Sequence, residues 1–177
     1  MEFPYRELEF SALRATIRER GTVRLILVWA TFALWAGLFL LTVAWTQMPA
    51  ALLVPLLVLA AGFETSYLLH TGIERVGRYL QVQFERDSGG AAAPVGWEST
   101  TMRYGQRFPG GADPLFTLLF LVAAVVNYFP VVAGGVWAER LGLGAFHALF
   151  VLRVLLAGRL AARQRAQDLE RFRALLG

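Results

Sequence analysis

The sequence predicts an all-α, polytopic membrane protein. The expected fold is a four-transmembrane-helix bundle with both termini cytoplasmic, an amphipathic N-terminal helix and cytoplasmic extensions of the second and fourth spans. Three observations carry this. The 177 residues are 56% apolar and 17% charged, with a mean hydropathy of +0.51, whereas water-soluble domains carry about 25% charged residues. Four apolar stretches each approach the ~20 residues that cross a bilayer. The arginines gather in three blocks that alternate with those stretches. A soluble enzyme, a secreted disulfide scaffold and a disordered tail are excluded. The chain has no cysteine, which removes thiol catalysis and thiolate metal sites. Every basic residue is arginine, a bias that points to a bacterial chain. The forked guanidinium also suits phosphate headgroups.

In residues 1–21, Phe10, Leu13 and Ile17 recur at helical spacing with Arg14 and Arg18 opposite. This predicts an amphipathic helix lying on the membrane surface or against the projecting extensions of the second and fourth spans, with Phe10, Leu13 and Ile17 as its partner-helix face. Gly21 is the expected break before the first span, 22–45, which carries Trp29, Trp35 and Trp45. The long polar leader and the lack of a small-x-small cleavage site predict that this span is retained.

The link from Thr46 to Pro49 is so short that the second span, 50–70, must return antiparallel. Pro49 suits a first helical position, and Pro55 predicts a slight bend. Beyond it, Ile73, Val76, Leu80 and Phe84 carry an apolar stripe through 71–86. Glu74, Arg75, Arg78, Gln81 and Glu85 lie opposite, with Glu74 and Arg78 as an i,i+4 pair.

The cytoplasmic loop 87–113 opens with a Ser-Gly-Ala run, and a short interfacial helix anchored by Trp97 and Tyr104 is expected after it. The third span, 114–133, has Asp113 as its cap and Pro114 in its first turn. Pro130 and the Gly134-Gly135 pair are expected to end it. The fourth span, 141–162, continues through 163–176 on a stripe of Ala166, Leu169, Phe172 and Leu176.

Orientation follows from the arginines. Arg6 to Arg24, Arg75 to Arg107 and Arg159 to Arg173 form the three blocks, whereas the two remaining loops contain only Arg140. Positive charge stays inside, which places both termini and the middle loop in the cytoplasm of a bacterial inner membrane.

Charges within spans are costly, about 3 kcal/mol each on insertion scales, and therefore informative. Glu64 and Arg153 fall at similar depth, which predicts an ion pair, with Asn127 and Tyr67 completing an intramembrane polar cluster. His70 and His147 should stand roughly 20 Å apart along the membrane normal, which argues against a shared haem. His70, Glu74, Trp97, Glu98 and Arg103 form a second candidate site at the cytoplasmic surface. No phosphate-binding loop, nucleophile elbow, zinc motif or dinucleotide fingerprint is present. No catalytic residue, metal site or cofactor is predicted.

The function expected is that of a small integral membrane protein acting as a non-enzymatic accessory subunit or self-associating scaffold. The alternative is a small ion, proton or solute transporter or channel centred on Glu64 and Arg153. A third class, an enzyme acting on lipid headgroups, would need the cytoplasmic-surface residues to converge. Expected partners are a bilayer with anionic headgroups and either a second copy or a larger membrane complex, with nothing pointing to nucleic acid.

Overall fold

A computed structural model describes residues 3–46, 48–85, 96–107 and 115–176. These residues are helical, with no strand among them. The helices are α1 (Phe3–Trp45), α2 (Leu53–Gln83), α3 (Trp97–Arg107), α4 (Thr117–Gly134) and α5 (Trp137–Leu176), and a 3-10 turn, Pro49–Leu52, precedes α2. α1, α2 with its leading turn, α4 and α5 are long and apolar enough to cross a membrane. The Asp113 cap and Pro114 lie outside the described residues.

Three boundaries differ from expectation. α1 runs through Gly21 without a break. A glycine costs a helix about 1 kcal/mol, too little to break a helix of 43 residues. Pro55 falls in the first turn of α2, where a missing N–H removes no bond from that helix. Pro130 lies inside α4, which continues to Gly134. The ending comes from Gly135, whose N–H closes on the Val131 carbonyl at 2.9 Å. At the other end of α4, Phe116 is the N-cap in the left-handed region, φ 54° and ψ 35°.

The chain forms two compact units. The first, here the span unit, comprises Arg24–Leu68 and Pro114–Gly158. Its core is built from one stripe per helix: Leu56, Leu59 and Phe63 of α2, Phe120, Ala123 and Ala124 of α4, and Phe150, Val154 and Ala157 of α5. These are helical repeats of three and four, so each helix turns one edge inward. Phe63 meets Phe120 edge-on at 5.0 Å and Phe150 at 6.2 Å. Phe32 of α1 reaches Phe120 at 5.0 Å, while Leu25, Ile26, Trp29 and Leu34 stay exposed, as lipid-facing side chains would. α1 approaches α2 at Gly62, where an added Cβ would collide with the Thr31 side chain.

The second unit comprises Met1–Val23, Leu69–Asp113 and Arg159–Gly177, and holds most of the arginines. Here the N-terminal part of α1 packs on α2. Phe10 contacts Phe84 at 5.4 Å, and the Tyr79 hydroxyl donates to Glu9 at 2.7 Å. Leu13 and Ile17 are half-buried. The N-terminal helix thus packs on the extension of α2, one of the two placements its stripe allows, with Phe10 still 37% exposed.

Arg78 is buried, although it lies opposite the apolar stripe of α2. The reason is α3, which covers that side of α2. The Arg78 guanidinium donates to Gln81 Oε1 at 2.8 Å and lies 3.6 Å from Glu98. Glu74 correspondingly pairs with Arg165 at 2.9 Å and not with Arg78. From α5, Leu169 is buried and Phe172 meets Tyr79 at 5.6 Å, but Ala166 and Leu176 are exposed. The buried edge therefore includes Asp168, held by Arg75 at 3.2 Å.

Candidate functional site

Glu64 follows the buried Phe63, and Arg153 precedes the buried Val154. A helix turns by about 100° per residue, so each charge sits on the margin of its helix's core stripe. Those margins face each other across the seam between α2 and α5. There Arg153 Nε approaches Glu64 Oε1 at 2.7 Å, and Nη2 donates to Oε2 at 2.8 Å. This two-bond fork is the strong form of an arginine–carboxylate contact. The guanidinium also lies over the Tyr67 ring at 4.5 Å and the Phe63 ring at 5.8 Å. Rings supply their electron-rich faces to a cation that few water molecules reach.

The pair is at the surface of the span unit, with side chains 44% exposed for Glu64 and 30% for Arg153. It closes one end of a groove of about 390 Å³. Leu53, Leu56, Leu57 and Ala60 form one wall and Phe146 and Phe150 the other. Glu64 and Arg153 are the only charged residues on that lining.

Asn127 does not join this cluster. Its carbonyl accepts the Trp35 indole N–H at 3.2 Å, and its amide donates to the Leu52 carbonyl at 3.0 Å. The same amide nitrogen lies 3.0 Å from His147 Nε2, while His147 Nδ1 lies 2.8 Å from the Leu143 carbonyl. A carbonyl can only accept, so Nδ1 carries the proton and Nε2 receives the amide. The Tyr128 ring lies 4.9 Å from the imidazole, tilted by 47°. Leu52 lies about 18 Å from Glu64 by helix rise, which is why the expected four-residue cluster divides in two. Asn127 is fully buried with both ends of its amide engaged, and His147 has no ring nitrogen to spare for a ligand.

In the second candidate site both carboxylates are held by arginines. Glu74 is taken by Arg165, and Glu98 by Arg14 at 2.9 Å and Arg78 at 3.6 Å. His70 is buried, while Trp97 and Arg103 are exposed. Burial pushes the Glu98 carboxyl above its usual 4.5, against the opposing pull of Arg14 and Arg78. Among the described residues, no group of three His, Asp or Glu side chains is placed to hold a metal ion.

One arrangement had little sequence signal. The Glu85 carboxylate accepts the Glu98 and Ser99 backbone N–H groups at 2.6 and 2.9 Å. It thereby caps the first turn of α3, satisfying donors that a helix N-terminus leaves open. Two glycines permit this. A Cβ on Gly96 would collide with the Glu85 carboxyl, and one on Gly77 would stand 2.9 Å from Glu98 Oε2. The S/T/D/N pattern that marks an ordinary cap is missing, because the capping group comes from Glu85, two residues past the end of α2.

Comparison with known proteins finds no matching protein-family model, no matching curated protein and no matching solved structure.

Proposed function

We propose that this chain is a bacterial inner-membrane protein with cytoplasmic termini, acting as a non-enzymatic accessory or interaction subunit through the lateral face of its span unit. The observation that carries the reading is the position of the Glu64–Arg153 pair, half-exposed at an open groove and not sealed in the core. Charges facing hydrocarbon are costly, so a surface of this kind favours a membrane component that covers it. The arginine blocks support the orientation. The exposed apolar faces of four long helices support the bilayer as solvent.

A transporter centred on the same pair would need a wetted path. The groove is walled by Leu, Ala and Phe, and the buried Asn127 is already engaged at both ends of its amide. Both features favour the accessory reading over a conduit.

The test is extraction of the full chain in a mild detergent or a native-lipid particle, followed by sizing and mass identification. A stoichiometric membrane component or homo-oligomer is expected, released by Glu64→Ala or by Arg153→Ala. A bare monomer that supports pH-dependent flux in liposomes overturns the reading. Outside labelling of either terminus in intact cells overturns the orientation.

A further inference from the structure

We propose that the α2–α5 groove of the span unit seats one acyl chain of a phospholipid with a zwitterionic primary-amine headgroup. In this arrangement the ammonium lies on Glu64 and the phosphate on Arg153. The inference rests on the reading above and names the component that covers the groove.

Size is the first reason. The volume of about 390 Å³ falls within the ~300–1,000 Å³ of small-ligand pockets. It has room for one flexible chain, not for the ~10–12 Å cylinder of a second helix. Length is the second. From Leu53 to Glu64 is about 16 Å by helix rise, close to half of the ~30 Å hydrocarbon core. The groove therefore has the length of one leaflet's acyl chain.

Polarity is the third reason. The walls are apolar, and both charges stand together at one end, as an amphiphile with its headgroup at that end requires.

The head selectivity follows from the pair itself. Its charges cancel, so a purely anionic headgroup meets Glu64 as well as Arg153. A zwitterion finds a partner for each sign. Glu64 occupies two of the five N–H groups of Arg153; Nη1 is buried, which leaves the second Nη2 N–H for a phosphate. A primary ammonium donates hydrogen bonds to the exposed carboxylate, whereas a quaternary one has no N–H to give.

The test reconstitutes the full chain in nanodiscs of equimolar phosphatidylethanolamine, phosphatidylcholine and phosphatidylglycerol with identical acyl chains. Retained lipid is counted by native mass spectrometry, and a phosphatidylethanolamine bearing a photoreactive acyl chain maps the site. One retained phosphatidylethanolamine is expected, favoured about tenfold over either competitor, with crosslinks on the segments of Leu57, Ala60 and Phe146. Ala60→Trp should fill the groove and abolish those crosslinks. Leu57→Trp, at a position already exposed, should weaken them without threatening the fold. Glu64→Gln should remove the preference for the primary amine.

Retained lipid that mirrors the mixture, or crosslinks spread equally over Leu34 and Leu118, overturns the proposal. A protein subunit crosslinked in the groove overturns it too, while sparing the accessory reading. Flux through liposomes would overturn that reading and leave the lipid result intact.

Discussion

Arg153 grips Glu64 through two parallel contacts, 2.7 and 2.8 Å long, across the seam of α2 and α5, with the Tyr67 ring beneath the guanidinium. The pair is held at the edge of two core stripes. Its energetics are therefore those of mutually compensating charges that are exposed on one side.

Removing one member leaves the other uncompensated. Arg153→Ala or Glu64→Ala is expected to cost about 3 kcal/mol. The double variant Glu64→Leu with Arg153→Leu should cost much less than the sum of the two. Reversible unfolding in mixed micelles, arranged as a double-mutant cycle, checks this.

Asn127 supports a different joint. Asn127→Leu strands the buried Leu52 carbonyl, the Trp35 N–H and His147 Nε2, for an expected loss of about 2–3 kcal/mol. Trp35→Phe removes the 3.2 Å bond and trims a ring that stacks on Phe39, and should cost about 1–2 kcal/mol. The same unfolding assay should reproduce that ranking.

The Gly62–Thr31 approach sets how closely α1 meets α2 in the span unit. Gly62→Ala places a methyl where Thr31 stands, with an expected loss of about 1–3 kcal/mol from overpacking. Thr31→Gly in the same chain should recover part of it. A crosslinking pair between α1 and α2 would report the altered spacing.

Glu85→Ala removes the carboxylate that caps α3. A lost cap costs about 0.5–2 kcal/mol. Amide exchange should accelerate across Glu98–Arg107, while the amides of α4 remain protected.

The hold on α3 should also depend on pH. Burial raises the folded Glu98 pKa above 4.5, so between those values the folded state binds the proton more tightly than the unfolded state. The contribution is whole below pH 4.5 and is lost as the pH rises through the folded value. Protection factors of α3 amides should therefore fall across that window, and Glu98→Gln should remove the step.

The four long apolar helices were legible in the sequence because a bilayer accepts few other arrangements: apolar runs of ~20 residues satisfy their backbone internally. Meeting of Glu64 and Arg153 was legible for a related reason, since equal depth and opposite charge restrict the partners of a costly intramembrane group. The second helix of that argument was easy to place because a four-residue link leaves only an antiparallel return.

Other features depended on azimuth, which composition does not encode. Asn127 and Glu64 are both polar residues inside spans, yet the turn at Leu52 brings Asn127 to His147 and Trp35. Arg78 carries the same charge as Arg75, but α3 covers one and leaves the other exposed. Helix length and polarity are local properties fixed by the order of residues. Which side chain is buried, capped or left facing a groove was decided only when neighbouring helices occupied the remaining directions around each axis.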